Sequence, residues 1–356
     1  MTFSQSHPLF LRHFIRKWFP PKMEFLPPVQ YKEGRPQVLM VTFETNPRNQ
    51  NFYRDAEIAR RFSTLWLTER FPWAEFDYDL AKILARLSPD AAPAWVYVNY
   101  HRHFTAKIRG WEALEAPVAG WVGDPQNFIM EGQVFQERID FFRRLRPRLL
   151  LTPQPGANHM VRQGLEDDTT PILECFWGIP PEIFRPLGLK RRYDIACLGS
   201  HTPRTYPFRN QVREYLLHQP RLKFFKKRRI KYVEDFPWAL NRLKSCFTDA
   251  SIYDYTLAKY FEIPACGALL FGQPTADLPA LGFEDGVNFV AVTPEDFREK
   301  MEHYLLAAPE DAARITLAGT QLVHQRHTWP RRITGLLKDI AGHLQQTWPD
   351  EVFLIE

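Results

Sequence analysis

One carboxylate constrains this chain more than any other residue. Glu262 lies in Y-T-L-A-K-Y-F-E-I-P-A-C-G, Tyr255–Gly267, between Phe261 and Ile263, and the run A-L-L-F-G follows directly. The pattern predicts a helix from Tyr255 that stops at Gly267 and feeds a buried strand, Ala268–Phe271. A carboxylate buried there without a partner is very costly. Glu262 therefore needs a hydroxyl or a cation to hold.

The same alternation of strand and helix runs through the rest of the chain. Gln37–Phe43 reads as a strand, followed by the polar loop E-T-N-P-R-N-Q-N and a helix near Phe52–Trp66. Further strands are expected at Trp95–Asn99, Val118–Val122, Leu149–Thr152 and Ile172–Phe176, with helices near Asp79–Leu87 and Gln133–Arg144 between them. That order argues for a mostly parallel sheet covered on both faces. A second series starts near Arg191. Its strands are Tyr193–Leu198, Leu222–Phe225, Cys246–Thr248, Ala268–Phe271 and Phe289–Val292, and its helices include Pro207–Leu217, Phe236–Ser245 and the stretch from Pro294 to Ala307. Pro180, Pro181, Pro186 and Gly188 mark a hinge between the series. The expected organisation is an appendage over 1–35, a first α/β domain over 36–180, a second over 190–330 and a closing helix over 331–356. With 356 residues, 45% of them apolar, two cores of ordinary size are within reach. No apolar run approaches the roughly eighteen residues a membrane helix needs, and Arg12, His13, Arg16 and Lys17 break up any signal-peptide pattern near the start.

In α/β sheets, ligands gather at the carboxyl ends of strands. That rule selects Gly199 and Ser200, where backbone N–H groups can approach a phosphate, and Arg204 and Arg209 just beyond, which could clamp a diphosphate or simply be solvated. Tyr255 and Thr256 fall at the expected helix N-terminus, which suits a pyrophosphate, although Thr256 also reads as a cap. Lys259, three residues before Glu262, could pair with it. After the first strand come Asn46, Asn49, Asn51 and Arg54, all ordinary loop residues as well as candidate contacts. Asp124, in W-V-G-D-P-Q-N, and His103, in N-Y-H-R-H, are the candidate general bases. A turn cap serves equally for Asp124, and an exposed loop position for His103. Cys175, Cys197, Cys246 and Cys266 form no CxxC pair and read as buried thiols of a reducing compartment. No metal-ligand cluster, G-x-S-x-G or P-loop pattern occurs, and Asp77 and Asp79 lie away from the strand ends. A formal charge of +5 implies no nucleic-acid partner.

The run K-Y-F-E-I-P-A-C-G-A-L-L, with the strand, amphipathic stretch and H-T-W-P-R-R that follow it, resembles the donor-binding segment of GT-B glycosyltransferases. The likeness is to their family 4-like and spore-maturation-type branch. It spans about residues 190–335 and, more loosely, 37–180. The resemblance implies an α/β protein with two Rossmann-like domains facing across a cleft. It also implies transfer of a sugar from a nucleotide-diphosphate donor, of UDP or GDP type, to a hydroxyl acceptor: a glycan, lipid-linked saccharide, protein or metabolite. Glu262 would then accept hydrogen bonds from the ribose, and Lys259 and the loop after Gly199 would hold the diphosphate. Asp124 and the Asn46–Asn51 loop would face the acceptor. Asp254 stands where family 4 proteins carry the first Glu of E-x7-E, one methylene shorter. No metal or other cofactor is implied, and the helix Pro330–Gln346 would cross back to the first domain. Competing readings are a nucleotide-sugar epimerase or hydrolase of the same architecture and a binding protein without turnover. The basic run Lys223–Lys231, K-F-F-K-K-R-R-I-K, with the aromatic-basic segment near the start, suggests a cytoplasmic protein that touches the inner membrane face.

Overall fold

The computed structural model describes residues 29–43, 50–87, 92–101, 104–129, 133–227, 230 and 235–354. The chain forms two compact units. One holds the described residues up to Gly178, with Tyr253–Thr256 and those from Trp329 onward; the other holds Ile179–Ile252 and Leu257–Thr328.

In the first unit the strands are β1 (Val29–Gln30), β2 (Gln37–Val41), β3 (Ser63–Leu67), β4 (Trp95–Asn99), β5 (Val118–Trp121), β6 (Leu149–Thr152) and β7 (Ile172–Glu174). They form one sheet in the order β1-β3-β2-β4-β5-β6-β7. Only the edge strand β1 runs antiparallel to its neighbour. Every residue of β3, β4, β5 and β6 is buried, which is why these strands are mostly apolar without alternation, with polar residues only at their ends. The connecting helices are α1 (Gln50–Arg61), α2 (Leu80–Leu87), α3 (Gln133–Leu145) and α4 (Asn158–Leu165). The helix expected over Phe52–Trp66 therefore ends early. Ser63–Leu67 is a strand, in register with β2 at Leu39↔Leu65. Five buried residues carry too few periods to distinguish a strand from the end of a helix.

The second unit contains β8 (Tyr193–Cys197), α5 (Pro207–His218), β9 (Phe224–Phe225), α6 (Asp235–Leu240), β10 (Leu243–Thr248), α7 (Lys259–Ala265), β11 (Leu269–Gly272), β12 (Val290–Ala291), α8 (Phe297–Glu302) and α9 (Pro309–Arg326). Its five strands are all parallel, in the order β12-β11-β10-β8-β9. The helix expected over Phe236–Ser245 stops at Leu240, and Leu243–Thr248 joins the sheet instead. The core is built from Ile195, Phe208, Val212, Phe247, Phe271 and Phe297. In both sheets the second strand of the series lies on one side of the first and the third on the other. The chain thus reverses direction across the sheet between β2 and β4, and between β8 and β10. Loops diverge there and leave a crevice at the carboxyl ends.

All four cysteines are buried and free. Burial pushes the Cys175 thiol up to about 11 and the Cys246 thiol up to about 12, so neither is a nucleophile at neutral pH. Among the described residues no helix is long and apolar enough to cross a membrane. Of the basic run, Lys223, Lys226 and Lys227 are exposed, and Arg228, Arg229 and Lys231 lie outside the described residues.

The final helix, α10 (Trp329–Leu344), packs on α1 within the first unit. Arg61 ties the two together. Its guanidinium pairs with Glu57 at 2.7 Å, donates to Thr334 Oγ1 at 2.7 Å and reaches the carbonyls of Pro330 at 2.9 Å and Val352 at 3.3 Å. Removing a buried cation that satisfies this many acceptors strands them all. Arg61→Ala should lower the unfolding free energy by about 3 kcal/mol, measured by urea denaturation. A loss within about 0.5 kcal/mol, the range of a surface substitution, would show that the cluster is dispensable.

Candidate functional site

The crevice of the second unit is shaped by a glycine. Gly199 follows β8 with φ of +128°, a backbone conformation side chains rarely adopt. A Cβ built there would lie 2.7 Å from Arg209 Nη1, 3.1 Å from Lys259 Cε and 3.3 Å from Lys259 Nζ. Two cations thus crowd one position, which only glycine leaves open.

The two cations are held differently. Arg209, in the first turn of α5, is buried, and its guanidinium lies 3.9 Å over the Tyr206 ring. It forms an ion pair with Asp249, just past β10, and Asp249 also accepts the Arg209 backbone N–H at 3.0 Å. Arg209 Nη1 donates to the Ser200 carbonyl at 2.8 Å. Burial drives the Asp249 carboxyl upward, and Arg209 opposes that shift. Arg209, expected either to clamp a diphosphate or to be solvated, is not solvated: its fork is turned inward onto Asp249 and the Ser200 carbonyl. Lys259 is half-buried at the start of α7 and enters no hydrogen bond or ion pair among the described residues. Burial, then the neighbouring Arg209, lower its pKa, and Glu262 opposes them.

Glu262 lies three residues further along α7 and is buried. The helix is shorter than expected. It begins at Lys259, not Tyr255, carries Pro264 inside it and gives way to Gly267 with φ of +68°. Tyr255 and Thr256 therefore present no helix N-terminus, and Asp254, exposed with φ of 55°, does not cap one. These residues belong to the first unit instead. The Tyr255 hydroxyl donates to Gln126 Oε1 at 2.6 Å and accepts the Gln126 backbone N–H at 3.1 Å. The Thr256 carbonyl faces Gln154 Nε2 at 3.5 Å. Ser200 Oγ lies 3.0 Å from Thr202 Oγ1, and Arg204 is exposed in the turn beyond.

On the first unit, Asp124 follows β5 and Gly123, whose φ of +64° turns the chain. Its side chain makes no cap hydrogen bond to the 3-10 turn Pro125–Phe128, so the cap reading fails. Asp124 is exposed, yet the protein atoms packed around its carboxyl desolvate it and raise its pKa, with Arg138 pulling the other way. Asn51 is not in a loop. It sits in the first turn of α1 and accepts from Arg54 Nη1 at 3.2 Å. Arg54 is a packing residue: it pairs with Asp55 at 2.8 Å and lies 3.7 Å over Trp121. Asn46, Asn49 and His103 lie outside the described residues. Asp79 Oδ1 accepts the Ala81 N–H at 2.9 Å at the start of α2, and Asp77 pairs with Lys82. Among the described residues no group of three or more His, Cys, Asp or Glu converges.

Asp249, Gln126 and Gln154 were not among the residues expected from the sequence. Asp249 carried a usable signal, an acid directly after the apolar strand end C-F-T. The two glutamines carried none, since their partners lie over a hundred residues away.

Comparison with known proteins places this geometry. Residues 181–338 match the model of a family described as glycosyl transferase-like. HepE of Anabaena, solved with UDP and glucose, superposes with a TM-score of 0.58 at 11% identity, over 86% of this chain and 100% of that one. A glycosyltransferase of Rickettsia africae gives 0.58 at 12% identity, over 88% and 100%. The sucrose-phosphate synthase of Thermosynechococcus elongatus gives 0.55 at 13%, over 86% and 100%. No curated protein sequence matches the chain. At these identities the likeness is one of fold: the α/β chain has the GT-B fold, and the match over residues 181–338 is a likeness to the glycosyl transferase-like family.

The depressed pKa of Lys259 has a consequence for stability. Below its folded pKa the half-buried ammonium opposes folding, and that opposition fades as pH rises from there toward the ordinary 10.5. Lys259→Met should therefore raise the urea midpoint of the ligand-free protein at neutral pH, with the gain narrowing in alkaline solution. A lower midpoint would show that the ammonium is stabilised by the fold.

Proposed function

We propose that this chain transfers a glycosyl group from a nucleoside-diphosphate sugar to a hydroxyl acceptor. The observation that carries the reading is the pairing of an ammonium that has no ion pair among the described residues, Lys259, with the side-chain-free surface of Gly199 at the carboxyl edge of a parallel sheet. A diphosphate is the chemistry that fits there. The missing Cβ admits its oxygens to the backbone, and Lys259 meets their charge. Glu262, on the same helix, is an acceptor suited to the paired hydroxyls of a ribose. As the sugar leaves, negative charge grows on the diphosphate. A preplaced cation in a partly desolvated site stabilises that charge more than it stabilises the donor at rest.

On the first unit Asp124 is the candidate base for the acceptor hydroxyl. Its carboxyl is bound by no cap, and desolvation raises its basicity above that of an ordinary carboxylate. The structures of HepE with UDP and with UDP-glucose make UDP the first nucleotide to try. With Lys259 taking the leaving charge, the reaction needs no metal. Turnover should persist in EDTA, and a loss restored by manganese or magnesium would contradict the assignment.

Calorimetry with UDP, GDP and ADP, followed by product analysis with and without acceptor, tests the reading as a whole. Transfer, hydrolysis and binding without turnover give three separate outcomes. Glu262→Ala should weaken binding of the preferred nucleotide by about 1–3 kcal/mol, the scale of a charge-assisted hydrogen bond. Unchanged affinity in a folded variant would remove Glu262 from the donor site.

A further inference from the structure

We infer that Asp249 is a positioning residue for the diphosphate pocket and acts through Arg209; the inference rests on the donor site proposed above. Asp249 closes a chain of contacts around one loop. One carboxylate oxygen accepts the backbone N–H of Arg209 at 3.0 Å, which fixes the first turn of α5. The other pairs with the guanidinium, which leaves Nη1 aimed at the Ser200 carbonyl at 2.8 Å. Tyr206 supports the guanidinium plane from 3.9 Å. Every member of this chain lies in the second unit.

The effect on the pocket follows from peptide geometry. In a trans peptide the carbonyl and the next N–H point in opposite directions. Drawing the Ser200 carbonyl onto Arg209 therefore turns the His201 N–H away from the guanidinium. The same contact sets the Gly199 backbone, whose missing Cβ leaves room beside Lys259. A lysine at position 209 would keep the charge but lose the fork that spans Asp249 and Ser200 at once. Arg209 and Asp249 thus hold the loop in the shape a diphosphate requires, and Lys259 is left to touch it.

The role makes a selective prediction. In the 356-residue chain, the nucleoside diphosphate that binds best among UDP, GDP and ADP is titrated beside its own nucleoside. Asp249→Asn should weaken the diphosphate about tenfold, the scale of a misaligned charge-assisted contact, and leave the nucleoside unchanged. General loosening of the unit would weaken both equally, and that result, or an unchanged diphosphate affinity, overturns the inference. Where Asp249→Asn folds poorly, Arg209→Lys should give the same selective loss, and equal losses or none again overturn it. Wild-type protein that binds none of the three diphosphates refutes the donor site itself. Failure of the positioning role alone leaves wild-type binding intact.

Discussion

A parallel sheet buried on both faces leaves its strand ends as the places where backbone and side chains meet water. That constraint organises both units of this protein. Parallel neighbours require crossover helices, the helices cover the faces, and the faces become apolar throughout. Polar chemistry is pushed to the loops. The strand order then decides which loops diverge: those after β8 and β10 leave in opposite directions, and Gly199 and Asp249 stand on them. Lys259 reaches the same edge from α7, the helix that leads from β10 to β11 and carries Glu262 three residues further on.

Ionised groups in the two units are of two kinds. Arg209–Asp249 and Arg54–Asp55 are buried pairs in which each charge is answered within the protein. Such pairs add little net stability over apolar packing, but removing one partner costs about 3–5 kcal/mol, so they lock local geometry. Lys259 is the other kind. Its charge is partly desolvated and entered in no ion pair among the described residues, a state that weakens the ligand-free fold and suits an anion brought from outside. Asp124 has a related character on the first unit, with a raised carboxyl and no cap to serve.

Much of the fold could be read from the chain. β4 and β6 fall on the expected residues, and the boundaries of β2, β5 and β8 differ by one or two. Errors cluster where a short buried strand adjoins a helix, at Ser63–Leu67 and Leu243–Thr248, because both environments demand apolar residues and a run of five or six has no resolvable period. The helix expected from Tyr255 begins four residues later for a different reason. Tyr255 and Thr256 are held by Gln126 and Gln154, and those distant partners outweigh local helix propensity.

The sequence by itself determined the α/β rhythm, the buried state of the cysteines, and Gly199, Lys259 and Glu262 as residues out of place in a purely structural reading. Each is a local anomaly: a glycine at a strand end, and charges in an apolar helix. Only the tertiary structure decided which of the cations is already paired within the protein. Arg204 and Arg209 look alike in the chain, yet one is exposed and the other is clamped by Asp249, forty residues away. Composition and spacing report where a charge falls along the chain. Whether that charge is already neutralised depends on which strands lie side by side, and β10 neighbours β8 only once the sheet has formed.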